Sequence, residues 1–327
     1  MNLEIDVNLE DRIVAKVLLP EMIHQAGIQY LEDKGYIIKI CGIDEEEIIE
    51  SIRDCDAIIC RNVKISKEVI EAAPNLKVIA RHGVGVDCID IEAAKAKRIW
   101  VTNAPESNTN AVAEQTIAAL LCGARKLREC DAMVRNGEFS KRNTIRGFEL
   151  KGKKLGVIGF GRIGRSIASI ANKGFGMEIC YYDPYITAAE NEEYCRMDSI
   201  RDVLSIADVV TIHLPLTEDT YHLIGEKEFG YMKKDSFFIN YARGPLIDID
   251  ALINAIRKHE IGGAALDVFE DETIQKSDTL YSLSEVVLSP HTAAFTEESL
   301  KNMALHAAIT VDEVLSGKTP RWFVSGI

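Results

Sequence analysis

The sequence predicts two doubly wound α/β domains, each built on a parallel sheet, in a chain of 327 residues. Three observations lead there. Short apolar runs alternate with helix-period segments from end to end, the pattern of parallel strands joined by crossover helices. The alternation restarts at Lys154 and soon meets a glycine-rich turn, Gly159-Phe160-Gly161-Arg162-Ile163-Gly164. At about 100–200 residues per domain, the length also fits two.

The first series reads as strand 13–19, a helix from about residue 21, strand 36–40, helix 45–52, strand 57–60, helix 67–73, strand 77–81, a short helix 91–96 and strand 99–101. One long helical pattern follows from about 110 to 136. Asn108 or Thr109 can cap its start and Gly137 can end it. The second series places strands at 155–158, 178–182, 209–213, 237–240, 263–268 and 286–288. Six strands with intervening helices match a doubly wound dinucleotide-binding sheet. The last helix, 297–316, has Thr296 to cap it and Gly317 to close it. Leu300, Met303, Ala304, Ala307, Val311 and Val314 give it an apolar stripe. Following the sixth strand, it is free to return to the first domain. That domain is therefore expected to be discontinuous, 1–107 with 296–327, leaving 108–295 for the other.

Composition narrows the function. Hydrophobic residues make up 47% and charged residues 27%, which suits a soluble globular chain able to bury a sizeable core. The net charge of −13 argues against nucleic acid and anionic membranes as partners. No apolar run reaches the roughly 20 residues of a membrane span. The start lacks a basic stretch followed by an apolar one, so no signal peptide is expected. Eight scattered cysteines without Cys-x-x-Cys pairs point to reduced thiols and a cytoplasmic location. No His/Cys cluster has metal-ligand spacing, so no metal is expected.

The glycine turn follows the run 155–158 and opens a helical pattern from Arg162 to Ala171. Gly159 allows the tight turn, Gly161 lets backbone approach a pyrophosphate, and Gly164 lets helix and strand pack closely. The helix N-terminus then offers amide donors and the positive end of its dipole. Asp183, nineteen residues after Gly164 at a strand end, suits the adenosine ribose hydroxyls. It would repel a 2′-phosphate, and Pro184 and Tyr185 supply no arginine to hold one. NAD is the expected cofactor.

Ligands of open α/β sheets lie beyond the C-terminal strand ends. His213, Arg243, Asp267, Glu272 and His291 all fall at or just past such ends. Reducing a 2-oxo acid needs a cation for the carboxylate and carbonyl, and a proton donor for the oxygen. The planar fork of Arg243 suits the first task. The near-neutral pKa of histidine suits His291 to the second, and Glu272 could orient it. Taken singly, each residue has an ordinary structural or surface role; their convergence makes them candidates.

These stretches make the sequence resemble the D-2-hydroxyacid dehydrogenase family, especially its phosphoglycerate dehydrogenase branch. The resemblance covers nearly the whole chain. It rests on 81–87 (RHGVGVD), 108–114 (NTNAVAE), the glycine turn, 213–217 (HLPLT), 240–244 (NYARG), 265–269 (ALDVF) and Ser289-Pro290-His291. It implies a Rossmann-type NAD domain, a discontinuous flavodoxin-like substrate domain and a homodimer touching through the long helix. It gives Arg243, Glu272 and His291 the catalytic positions. NAD contacts fall at Val84, Arg162, Ile163, Asp183, Leu214, Tyr241, Ala242 and Asp267, with His213, Pro215 and Ala293 beside them. The Gly83-Val84-Gly85 turn is similar to the family's carboxylate-binding loop, and Arg61 matches an arginine that reaches toward substrate.

Departures remain. Thr273 stands where the family usually has proline, Asn62 where serine is commoner, and Thr-Ala-Ala-Phe-Thr follows His291. Glu272 is chosen over Glu270 and Asp271 by its five-residue offset from Asp267. The regulatory domain of some relatives is not found, so a short form is expected. The expected substrate is a small anionic acid, first 3-phosphoglycerate, then glyoxylate, hydroxypyruvate or another short 2-oxo acid. An NAD(H)-sensing, corepressor-like binding protein is the reading from another class. Formate dehydrogenases pair their histidine with glutamine, which Glu272 opposes.

Overall fold

The computed structural model describes residues 14–186, 193–271 and 279–325. In chain order the elements are β1 (Lys16–Leu19), α1 (Gln25–Asp33), β2 (Ile37–Ile40), α2 (Glu45–Ile52), β3 (Ala57–Cys60), α3 (Lys67–Glu71), β4 (Val78–Arg81), α4 (Ile91–Ala96) and β5 (Trp100–Thr102). Then come α5 (Thr109–Ala124), α6 (Leu127–Arg135), β6 (Lys154–Ile158), α7 (Arg162–Phe175), β7 (Glu178–Tyr182), β8 (Cys195–Arg196), α8 (Ile200–Ile206) and β9 (Val209–Ile212). The chain continues with α9 (Glu226–Phe229), β10 (Phe237–Asn240), α10 (Ile249–Arg257), β11 (Gly263–Leu266), α11 (Thr279–Ser282), β12 (Val286–Leu288), α12 (Glu297–Leu315) and β13 (Phe323–Ser325). Contacts divide it into two compact units, 1–108 with 296–327 and 109–295.

The first unit has sheet order β13-β5-β4-β3-β1-β2. All pairings are parallel except that of β13 with β5. The first five strands thus have the flavodoxin-like order 2-1-3-4-5. The apolar runs are continuous because both faces of the sheet are covered. Side chains alternate between the faces. Val17, Leu19, Ala57, Ile59, Val78 and Ala80 meet the small residues of α12. Leu18, Ile58, Cys60, Ile79 and Val101 meet Ile48, Ile52, Val69 and Ile70. Helices α1 and α12 approach so closely that a Cβ on Gly27 would lie 2.8 Å from the Ala304 carbonyl oxygen. Thr296 caps α12 by accepting from the Ser299 amide, as expected.

The second unit is wholly parallel, in the order β12-β11-β10-β9-β6-β7-β8. The order reverses between β6 and β9, the place where such sheets bind dinucleotides. One face packs Leu155, Val157, Tyr181, Phe237 and Ile239 against α5 and α7. The other packs Val210, Ile212, Phe238 and Leu266 against α8 and α10.

Four expectations change. The second sheet has seven strands, because the two-residue β8 joins β7; the first gains the antiparallel β13. Helix α1 starts at Gln25 rather than near residue 21, with the His24 ring capping Ala26. Glu21 instead accepts backbone amides just past β3. The long helix is two. Lys126 turns left-handed (φ 53°), so α5 is largely buried whereas α6 has no buried residue. The Arg128 guanidinium, two residues past the break, bonds to the carbonyls of Leu283, Ser284 and Val286.

Candidate active site

In the second unit the glycine turn sits at the switch point. Gly159 has φ +90°, and a Cβ there would meet the His213 carbonyl oxygen at 2.5 Å. A Cβ on Gly164 would meet the Gly159 oxygen at 2.3 Å, whereas one on Gly161 would enter open space. Gly161 is the N-cap of α7 and provides no side-chain cap, so the first amides of the helix are uncapped by side chains. Phe160, between the first two glycines, is fully buried and stacks on Tyr181. Its amide donates to Asp183 Oδ2 at 2.8 Å, and the Tyr185 amide donates to Oδ1 at 2.9 Å. Asp183 therefore ties the turn to the end of β7. Arg162 is exposed and Ile163 half-buried against the core. Uncapped helix amides, an open approach at Gly161 and a carboxylate at the next strand end together fit a pyrophosphate and a ribose.

The other predicted residues gather at the ends of β9 to β12. His213 keeps its Nδ1 buried without a partner, while Nε2 lies 2.7 Å from the Thr211 hydroxyl. Burial pushes its pKa down to about 3, so this imidazole is neutral at physiological pH. Leu214 closes over Gly159, and the carbonyl of Pro215 accepts from Thr220. Tyr241 is buried, its hydroxyl pushed up to about 12 by desolvation.

Asp267 is the hub. It is 1% exposed, and its carboxylate accepts from the amides of Thr292 and Ala293, both at 2.9 Å, and from the Ser289 hydroxyl. Its carbonyl accepts from the His291 amide at 2.7 Å, and its own amide donates to Asn240 at 3.2 Å. Asn240 in turn donates to the Arg243 carbonyl at 2.8 Å and accepts from the Ala242 amide. A hydrogen-bonded line thus runs from half-buried Arg243 to exposed His291 across three adjacent strand ends. His291 is left-handed, φ 53°, held there by the grip of Asp267 on both sides of it. Gly244 is required beside Arg243, since a Cβ would lie 2.0 Å from the Phe269 carbonyl carbon. Glu272 lies outside the described residues. Its rival Glu270 has both oxygens engaged, by Tyr221 and His222.

In the first unit the Gly83-Val84-Gly85 loop follows β4. Its carbonyls, and that of His82 before it, are all occupied. Arg81 donates to His82 at 2.7 Å and to Gly85 at 2.9 Å. The Ala104 amide takes Gly83, and Asn103 takes Val84 at 2.7 Å. With the oxygens turned away, the amides of Val84 and Gly85 remain available to an anion. His82 beside them is buried, its pKa lowered to about 4 by desolvation and then by Arg61. Arg61 donates to the Met22 carbonyl at 3.2 Å. The amides of Arg61, Asn62 and Val63 converge on Glu21 Oε2 at 3.1, 2.6 and 3.1 Å. Sequence reasoning missed Arg81, Asn103 and Glu21. They serve loops through backbone atoms, and only the RHGVGVD stretch hinted at the first.

Residues 117–293 match the family model for the D-isomer specific 2-hydroxyacid dehydrogenase NAD binding domain. The chain belongs to the D-isomer-specific 2-hydroxyacid dehydrogenase family. It is 42% identical over 308 residues to a D-3-phosphoglycerate dehydrogenase of Methanocaldococcus jannaschii, covering 93% of this chain and 58% of that protein. Against a glyoxylate reductase of Thermococcus litoralis it is 40% identical over 317 residues, covering 93% of this chain and 95% of that one. Its fold superposes with a TM-score of 0.85 on Aquifex aeolicus D-lactate dehydrogenase, solved with NAD and lactic acid, at 30% identity over 95% of this chain and 99% of that one. The family model that the chain matches is that of the NAD binding domain of D-isomer specific 2-hydroxyacid dehydrogenases. Among the described residues no helix is long and apolar enough to cross a membrane.

Proposed function

We propose that the chain interconverts a short D-2-hydroxy acid and its 2-oxo acid. 3-Phosphoglycerate and its 2-oxo form are the first pair to test, and glyoxylate or hydroxypyruvate the next. The observation that carries this reading is the hydrogen-bonded line from Arg243 through Asn240 and Asp267 to His291. It fixes the backbone bearing a guanidinium and an imidazole at the ends of β10 and β12, in the sheet whose β6 turn is suited to a dinucleotide. Held by the Gly159–Gly164 turn and Asp183, NAD(H) would supply the hydride donor or acceptor for C2 of the acid. Arg243 is assigned to the carboxylate and carbonyl oxygens, which its fork can hold bidentately. His291 is assigned to move the proton at the carbonyl oxygen, and Glu272 to orient that imidazole. The amides of Val84 and Gly85, with Arg61, are assigned to the substrate anion. Asp183 supports NAD over a cofactor bearing a 2′-phosphate.

His291→Ala should lower kcat by at least ~100-fold, the usual scale for losing a general acid, with NADH affinity unchanged. Stopped-flow turnover and a fluorescence titration measure the two. Turnover at the wild-type rate would sink the assignment. NADH oxidation with phosphohydroxypyruvate, hydroxypyruvate and glyoxylate orders the substrates, since relatives of near-equal identity bear both names.

A homodimer is part of the same reading. Leu127, Val134 and Phe139 are 54%, 60% and 61% exposed on and just after α6, apolar side chains that a second copy could cover. Light scattering on Phe139→Glu should report a monomer; an unchanged mass would exclude this surface.

A further inference from the structure

Glu270 sits where three segments of the second unit meet. The Tyr221 hydroxyl donates to its Oε1 at 2.8 Å, and the His222 Nε2 lies 3.1 Å from its Oε2. The Tyr221 and His222 rings stack, centroids 4.1 Å apart. His222 is left-handed, φ 47°, a conformation that persists in a non-glycine residue only when its surroundings hold it. Its amide donates to the Pro245 carbonyl at 2.8 Å. Pro245 belongs to the turn just past Arg243, and Gly244 in that turn lies against the backbone of Phe269 and Glu270. The 221–222 segment is therefore tied to the Glu270 carboxylate by its side chains and to the 243–246 turn by the His222 amide, and that turn lies against the backbone of 269–270. An exposed ion pair alone stabilises little. Here one carboxylate takes two neighbouring side chains, on a backbone that leaves no room for a Cβ at Gly244.

We propose that Glu270 is a positioning residue, clamped by Tyr221 and His222 so that the 243–246 turn presents the Arg243 guanidinium to the substrate carboxylate. This rests on the assignment of Arg243 above. The hydrogen bonds from Tyr221 and His222 also hold the Glu270 carboxyl below the ordinary glutamate range, so it stays ionised at neutral pH.

The test compares Glu270→Ala, Glu270→Gln and Tyr221→Phe with Arg243→Ala and with the Arg243→Ala/Glu270→Ala double variant. Readouts are KM for glyoxylate and hydroxypyruvate, oxalate affinity of the NADH-loaded protein by calorimetry, NADH affinity and Tm. Glu270→Ala should raise KM and weaken oxalate about tenfold, with NADH affinity within about twofold of wild type. Tyr221→Phe should give about half that effect on a logarithmic scale. Glu270→Gln, which can still accept from Tyr221, should recover most of it. In the Arg243→Ala background, Glu270→Ala should add nothing further. Additive losses, or a drop in Tm with KM and oxalate unchanged, would overturn the clamp while leaving Arg243 as the anchor. Unchanged KM in Arg243→Ala would overturn the anchor and the clamp together.

Discussion

The loop after β4 and the loop after β6 both turn on glycine, and they are held in different ways. After β6, backbone meets backbone: Gly159 lies against the His213 carbonyl and Gly164 against Gly159 itself. The donors there belong to the first turn of α7, with the helix dipole behind them, which suits a doubly charged diphosphate. After β4 no helix follows at once. Three oxygens of the loop and its preceding residue are turned away by side chains, Arg81 and Asn103, and one by the Ala104 amide. Two amides are left, enough for a single carboxylate. The anion site proposed there, lacking a helix, depends on residues outside itself, so it is open to damage from a distance. The helix-borne site depends on the absence of side chains within it.

The difference can be broken experimentally. The largest expected effect is at Gly164→Val. Its Cβ would have to displace the Gly159 carbonyl from 2.3 Å, a backbone atom with nowhere to go. A cost of about 3 kcal/mol, the upper end for overpacking, corresponds to NADH affinity lower by roughly 100-fold. Native binding in a fluorescence titration would mean the turn is softer than its contacts imply. Arg81→Met comes next. It removes charge-assisted bonds to His82 and Gly85, each worth about 1.5–3 kcal/mol, so KM for the 2-oxo acid should rise about tenfold. NADH affinity should hold. If NADH affinity fell as far as KM rose, the two loops would not be separate anion sites.

The loop after β6 was legible because its parts are local. Three glycines and an aspartate at fixed spacing carry the physics, and Phe160 and Tyr181 only seal it. The loop after β4 was legible as a resemblance only, because Asn103 and Ala104, which hold it, come from the next strand's end. The strands themselves were readable from apolar runs buried on both faces. The break at Lys126 was not, since Lys126 itself is neither glycine nor proline and the contacts of Arg128 with residues 283–286 come from tertiary structure. The start of α1 was misplaced because Glu21, a good helix former, accepts the three amides at 61–63 instead. Strand β8 is only two residues long, too short for any period to show. Arg243 and His291 were legible because each stands just past the end of an apolar strand, where open sheets bind their ligands. Asp267 was legible as a strand-end carboxylate, but its grip on Ser289, Thr292 and Ala293, and that of the Asn240 side chain on the Arg243 carbonyl, are tertiary bonds that no spacing rule reveals.

The last expected effect, absent at neutral pH, uses the buried histidine beside each loop. His82 adjoins Gly83, and the His213 carbonyl faces Gly159. Their folded pKa values, about 4 and about 3, lie below the 6.5 of an exposed imidazole. The unfolded chain therefore binds protons first as pH falls. Each histidine costs no stability above pH 6.5 and progressively more below it, by up to about 1.4 kcal/mol per pH unit. The window for His82 closes near pH 4, whereas that for His213 runs on toward pH 3. His82→Leu should thus lose less stability than wild type between pH 6.5 and 4 in urea titrations, and no further advantage should accrue below that. In His213→Leu the advantage should keep growing to lower pH. Parallel curves for wild type and both variants would mean that these imidazoles accept protons in the folded state, and that the neutral flank ascribed to each loop is wrong.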